Sequence, residues 1–134
     1  MKRLDWKKAN DMEQSIDVKK ILETVRFYDG EVYLILKNID NLNRLGFIDS
    51  TEHINQLTYK IKRLQAEKLA VSRAIERIPD IVARMIYNGR YNLGYSWERV
   101  AGKMTPANAR LIHNRMLPEF EKLFLEELKN ASEQ

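Results

Sequence analysis

The chain lacks cysteine altogether and holds only five glycines and three prolines among its 134 residues. Without cysteine it can form no disulfide framework and can offer no thiolate as nucleophile or metal ligand. The few glycines and prolines lie between long periodic segments, which is typical of a chain dominated by helices. No apolar run approaches the roughly 20 residues that a membrane-spanning helix requires.

The opening residues, MKRLDWKKANDMEQ, are charged throughout and hold no apolar stretch of the length found in signal peptides. A reducing compartment suits a chain without cysteine, although many secreted proteins also lack it. We therefore expect a cytoplasmic protein that does not interact with a membrane.

Residues that would carry catalysis are also scarce. The two histidines, His53 and His113, lie far apart and on different predicted helices, with no metal-ligand spacing around either. His53 falls in the first turn of its helix, and His113 is expected to touch a phosphate or to be exposed. There is no phosphate loop, dinucleotide fingerprint or nucleophile elbow. We expect no cofactor and no enzyme activity.

Charge is distributed unevenly along a chain whose formal net charge is +4. Residues 79–117 contain six cations and two anions, a local net charge of 6 − 2 = +4. Residues 118–134 contain two lysines and five glutamates, a local net charge of 2 − 5 = −3. The basic surplus is therefore densest in residues 79–117, where contact with an acidic partner is most favourable.

Two apolar seams with alternating steps of three and four residues predict a pair of helices. The first helix should end near Leu45, with Gly46 in a left-handed cap, and Gly30 should weaken it without breaking it. Asp49 or Ser50 can cap the second. The first seam comprises Val18, Ile21, Val25, Tyr28, Val32, Ile35, Ile39 and Leu42; the second comprises Ile54, Leu57, Ile61, Leu64, Lys68, Val71, Ile75 and Ile78.

Joined by a short turn, these helices are expected to fold back antiparallel, with Leu42 facing Ile54 and Val18 facing Ile78. This register places Tyr28 opposite Lys68, the one charged seam residue. The pair could share a hydrogen bond or a cation–π contact. Alternatively, Lys68 only extends its ammonium to water from a loosely packed layer.

Several apolar residues lie off the seams and need a second surface to cover them. The N-terminal segment around Leu4 and Trp6 could supply it, but we favour a homodimer of hairpins. The uncovered residues are Leu22, Phe27, Leu34, Leu36 and Leu69.

The C-terminal third has closely spaced helix-start signals. Pro79 and Asp80 begin a short helix to Asn88, which the glycine-containing run GRYNLGY then interrupts. Ser96 can cap a second short helix, and Thr105 with Pro106 can begin a third. The predicted fold is all-α: a long antiparallel, coiled-coil-like hairpin over residues 1–78, the assembly region, followed by a helix-turn-helix with an acidic tail over residues 79–134.

An Arg-Tyr pair, a short glycine-containing loop and a Trp-Glu-x-hydrophobic-Ala motif precede the last helix. This arrangement resembles region four of bacterial sigma factors and, more closely, phage late-gene transcriptional regulators of the ArpU and RinA kind. The resemblance covers residues 79–120 best. The turn departs from it, because Thr105-Pro106-Ala107 stands where these families usually have a glycine and a serine or threonine. The matching residues are Arg90, Tyr91, Gly94, Trp97, Glu98, Val100 and Ala101.

On the last helix, an apolar stripe should pack against Trp97, Val100 and Met104, leaving polar residues outward. Asparagine and arginine suit adenine and guanine edges or phosphates, and the preceding helix is better placed for backbone contacts. A plain solvated face is the alternative. The stripe comprises Ala109, Ile112, Met116, Phe120 and Leu123. The candidate DNA-binding residues are Arg99, Lys103, Thr105, Asn108, Arg110, Asn114 and Arg115.

These features predict a helix-turn-helix protein that binds double-stranded DNA sequence-specifically. The resemblance implies a regulator of phage type that controls late or packaging genes and works in the host cytoplasm. Two alternatives remain open. The hairpin could be a protein-interaction module that docks on RNA polymerase, another regulator or a packaging component. The chain could also be a small terminase-type DNA-recognition subunit.

Overall fold

The computed structural model describes residues 16–46 and 50–132, which form helices and no strand. The expected all-α fold with a hairpin of long helices is confirmed. Helix α1 spans Val18–Thr24 and is capped by Asp17, whose side chain accepts a hydrogen bond from the Lys20 amide at 3.1 Å. A 3₁₀ turn over Val25–Phe27 then leads into α2, Tyr28–Leu45.

The first predicted helix is thus broken by a 3₁₀ turn, where the expectation was one uninterrupted helix. The Thr24 hydroxyl donates to the Lys20 carbonyl at 2.8 Å, which draws on an acceptor of the helix's own ladder. Threonine back-bonding of this kind bends helices. Gly30 lies inside α2 without ending it, as expected.

Helix α2 ends as predicted. Gly46 has φ = +65°, in the left-handed region, and its amide donates to the Leu42 carbonyl. Helix α3, Ser50–Glu76, follows and packs against α2. The proposed Asp49 cap lies outside the described residues. Every apolar seam position in both helices is buried or half-buried.

The contacts at the middle of the hairpin differ by one residue from those predicted. Lys68 is exposed and pairs with the Asp29 carboxylate at 2.6 Å instead of with Tyr28, because a carboxylate binds an ammonium better than a ring face does. Tyr28 is buried, and burial raises its pKa to about 12; a hydrogen bond to Thr24 opposes this rise, and hydrogen bonding and repulsion by Glu67 add to it.

Helix α1 does not prolong the hairpin. Asp17 and Lys20 line the same groove as Tyr59 and Lys60, in the first half of α3, so Val18 is not in register with Ile78 at the far end. The second half of α3 packs instead against the last helix, Pro106–Ser132, in the most extensive helix pairing of the described chain. Two fully buried alanines on α3 allow this close approach, Ala70 and Ala74.

The C-terminal helices begin at the predicted caps. Helix α4, Ile81–Tyr87, is capped by Asp80, which accepts from the Val82 amide, and a π-helical segment, Asn88–Asn92, continues it. The interruption therefore starts later than expected. Gly89 stays helical, and a Cβ there would lie 3.0 Å from Val100 Cγ2, so the glycine allows close packing. Helix α5 spans Trp97–Ala101 and helix α6 spans Pro106–Ser132.

One apolar cluster joins residues from both predicted segments, 1–78 and 79–134. It runs from Val18 and Ile21 of α1, through Val71 and Ile75 of α3, to Phe120 of α6. The hairpin thus serves as the support on which α6 rests. No helix among the described residues is both long and apolar enough to cross a membrane.

Of the predicted off-seam apolar residues, one is buried within the chain and the others are exposed. Leu22 is buried within the chain, on the side of α1 that shares a groove with Leu117 of α6. Leu4 and Trp6 lie outside the described residues. Four of the predicted uncovered residues are exposed: Phe27, Leu34, Leu36 and Leu69.

Candidate nucleic-acid interface

Helices α5 and α6 form two arms joined by a short turn. Ser96 caps α5 by accepting from the Arg99 amide at 3.2 Å, and Gly102, with φ = +58°, ends it. Thr105 caps α6 by accepting from the Asn108 amide at 3.1 Å, with Pro106 as the first helical residue. Each predicted cap is confirmed, so local signals in the sequence determine where the arms start.

A small apolar cluster holds the two arms together. Ala101 and Ala109 are buried in it with Ile86, and half-buried side chains pack around them. The predicted stripe on α6 is therefore divided, because Met116, Phe120 and Leu123 belong to the larger core and only its first part meets α5. The surrounding side chains are Trp97, Val100, Met104 and Ile112.

All seven predicted DNA-binding residues are exposed. None of their four cationic side chains forms an ion pair with any residue in the ranges 16–46 and 50–132, so their charge is not neutralised within the described chain. The four cations are Arg99, Lys103, Arg110 and Arg115.

The predicted DNA-binding residues on α6 do not all lie on one side of the helix. Successive residues rotate by about 100° around a helix, so Asn108 and Arg115 lie on one edge of the exposed face and Arg110 lies roughly 140° from Arg115. Asn114 is on the Arg110 side, and both line a groove against α1. Leu111, 46% exposed, lies between the two edges.

Aromatic rings position three of the guanidinium groups. Arg99 lies 3.8 Å from the centroid of the Tyr95 ring, and Arg90 and Arg110 lie 4.6 Å and 5.4 Å from the Trp97 ring. Cation–π stacking of this kind restrains the side chains and leaves their N–H groups able to donate. Trp97 is half-buried and belongs to the scaffold, as expected.

The expectation that His113 is exposed or touches a phosphate is wrong. The side chain is only 7% exposed; its Nε2 lies 2.5 Å from the Tyr91 hydroxyl and its Nδ1 lies 3.0 Å from Asn114 Oδ1. The ring stacks on Tyr87 at 4.5 Å, and the Tyr87 hydroxyl donates to the His113 carbonyl. His113 thus ties α4 and the π-helical segment to α6.

Burial also determines the protonation of this cluster. The pKa of His113 is lowered chiefly because burial disfavours the imidazolium; the hydrogen bond to Asn114 opposes the shift, and repulsion by Arg90 adds a smaller lowering. Burial raises the pKa of Tyr91 to about 12, partly offset by Arg90. Tyr91 therefore donates its proton to Nε2, and a neutral His113 donates from Nδ1 to Asn114.

The sequence held a signal for this burial that prediction missed. His113 stands four residues after Ala109 and four before Leu117, in the middle of a buried row on one side of α6. His53, in contrast, is exposed in the first turn of α3, as expected.

Among the residues the structure describes, no cluster of three histidines or carboxylates could hold a metal ion. The chain was also compared with protein-family models, with curated proteins and with solved structures, and none of them matches it.

Proposed function

We propose that this chain is a sequence-specific DNA-binding regulator of transcription, of the phage late-gene kind, and not an enzyme. The observation that carries the proposal is the exposure of all seven candidate residues on α5 and α6, with four cations that form no ion pair within the described residues. Phosphates of a duplex would supply the missing countercharge.

The first half of α6 is the proposed reading element. Its outer face carries asparagine and arginine, which can make bidentate hydrogen bonds to adenine and guanine in the major groove. Asn108 and Arg115 lie on its outer edge, away from α1, and we assign them to base contacts. Arg99 and Lys103, on and just after α5, then contact the sugar-phosphate backbone, as the first helix of a helix-turn-helix does.

A twofold dimer would present two such helices to successive major grooves on one DNA face. The exposed apolar residues of the hairpin support this assembly, because Leu34 and Leu36 leave large apolar side chains in water on two edges of α2. Replacing Leu34 and Leu36 by serine should shift the mass measured by light scattering from dimer to monomer. A parent protein that is monomeric at every concentration would contradict the dimer.

The DNA proposal is tested by selecting duplexes from a random library and titrating the selected duplex by fluorescence anisotropy at several salt concentrations. The double substitution Asn108→Ala with Arg115→Ala should abolish the preference for the selected sequence, since each base contact contributes about 1–3 kcal/mol of discrimination. The matched control is Lys62→Ala with Gln65→Ala, which removes one cation and one amide from exposed positions on α3.

Circular dichroism should give the parent helix content for both double variants. No salt-sensitive DNA affinity in the parent protein would reject the proposal. Loss of preference in the α3 control as well would show that the face of α6 is not the reading element.

A second candidate function is docking on RNA polymerase or another regulator. The observation that favours it is an apolar cluster on α4, where Ile81, Val82 and Met85 are all exposed beside the two arms. Purified RNA polymerase that binds the parent, and does not bind a variant with Ile81→Ser and Met85→Ser, would support this function.

A small terminase-type subunit is distinguished from both by a ring-sized assembly in light scattering.

A further inference from the structure

A groove of about 310 Å³ runs between α1 and α6, beside the candidate interface. Three cations from three separate elements line it: Lys19 of α1, Arg90 of the π-helical segment and Arg110 of α6. None of the three forms an ion pair with another described residue. Glu23 is the one carboxylate among the lining residues, so the groove carries a net positive charge.

The two guanidinium groups of the groove are held in place. Both lie over the Trp97 ring, and Arg90 also donates through Nη1 to the Tyr95 carbonyl at 2.9 Å. Arg90 Nε is buried and has no hydrogen-bond partner in the described part of the chain. A buried donor without an acceptor is unfavourable.

The chemistry of the lining indicates the kind of anion. Arginine side chains fixed by stacking suit the tetrahedral oxygens of a phosphate group, and a lysine adds a point charge. The volume lies at the lower end of the range for small-molecule sites, about 300–1,000 Å³, so the groove can take a charged group and its immediate neighbours but not a base pair.

We propose that this groove holds a backbone phosphate of the bound duplex, at the side of α6 opposite to Asn108 and Arg115. The inference depends on the DNA-binding function proposed above and adds α1 to the interface. It also assigns Arg110 to a phosphodiester, with its stacking on Trp97 keeping it at the edge of the reading face.

Adjacent lysines on α1 provide a matched test. Lys19 lines this groove, whereas Lys20 lines the groove on the opposite side of α1, and both are exposed. Lys19→Gln and Lys20→Gln remove the same charge from the same helix. In anisotropy titrations, Lys19→Gln should lower the slope of log K against log salt by about 0.9 and weaken binding about tenfold, equally for selected and unrelated duplexes. Lys20→Gln should keep the parent slope.

Two further variants test the groove in opposite directions. Glu23→Gln removes the only carboxylate of the lining and should tighten binding to both duplexes, an effect that a merely structural role of this exposed residue would not produce. Arg110→Gln should weaken binding and lower the salt slope while keeping the preference for the selected sequence.

The outcomes separate this inference from the function on which it depends. A parent protein without DNA affinity overturns both. If the parent binds DNA but Lys19→Gln and Lys20→Gln have the same salt slope, only the groove is refuted. Loss of sequence preference in Arg110→Gln would likewise overturn the phosphate assignment and leave DNA binding intact.

Discussion

The buried imidazole of His113 should make the fold lose stability in mild acid. Its ring stacks on Tyr87 and hydrogen bonds to Tyr91 and Asn114, and burial lowers its pKa from the ordinary value of about 6.5. Protonation would remove the lone pair that accepts from Tyr91 and would place a charge in a desolvated site near Arg90. The unfolded chain bears no such penalty.

The direction of the effect follows from proton binding. Between the folded-state pKa of His113 and about 6.5, the unfolded chain binds more protons than the folded chain, so the free energy of unfolding falls as pH falls. The contribution is complete above about pH 6.5 and is lost below it, by up to about 1.4 kcal/mol per pH unit until the folded-state pKa is reached.

Urea unfolding at pH 7.5 and pH 5.5 measures this loss. His113→Gln removes the titrating ring and should make the difference between the two pH values smaller than in the parent, whatever it does to stability at pH 7.5. His53→Gln, at the other histidine of the chain, is the control. An equal difference in the parent and in His113→Gln would refute the argument from burial.

Three further substitutions test the core, one helix cap and one surface ion pair. Phe120→Ala empties a fully buried site and should lower the free energy of unfolding by about 3–5 kcal/mol in urea titrations; a loss below 1 kcal/mol would contradict this core. Gly46→Ala forces a side chain into the left-handed region and should lower it by about 1–2 kcal/mol, whereas an unchanged midpoint would refute the cap. Asp29→Asn breaks an exposed ion pair with Lys68 and should have an effect of at most about 1 kcal/mol that disappears in high salt; an effect that persists in 1 M salt would contradict the exposed pair.

The features that sequence analysis predicted correctly depend on nearby residues. The Gly46 cap and the Ser96 and Thr105 caps each involve a side chain or glycine and backbone groups within four residues. The seams likewise follow from the helical repeat alone, because periodicity shows which side of a helix is buried.

Periodicity does not show which partner buries that side. The second half of α3 carries an apolar face that fits α1 as well as α6 on pattern alone. The fully buried pair Ala70 and Ala74 lets α6 approach closely, and Phe120 and Phe124 fill the core there. The turn at Thr24 directs α1 away from the second half of α3. Whether α1 or α6 covers that half therefore depends on packing between segments far apart in the chain.

In the candidate site too, some features were predictable from the sequence and others depend on tertiary packing. Exposure of the polar residues on α6 was predictable, since it follows from the apolar stripe opposite them. The stacking of Arg110 on Trp97 and the groove beside α1 require three-dimensional contacts between distant segments. The polar character of His113 suggested exposure, whereas its position four residues from buried Ala109 and Leu117 indicates burial.

The absence of cysteine permits a direct test of where DNA lies. Leu111→Cys places a single thiol at the centre of the proposed reading face, and Leu125→Cys places one on the same helix at similar exposure, 44% against 46%, about 21 Å further along. After each thiol is coupled to a photo-crosslinker, the proposed function predicts a covalent adduct with the selected duplex from position 111 and little or none from position 125. Adducts of equal yield from both positions, or none from position 111, would contradict it.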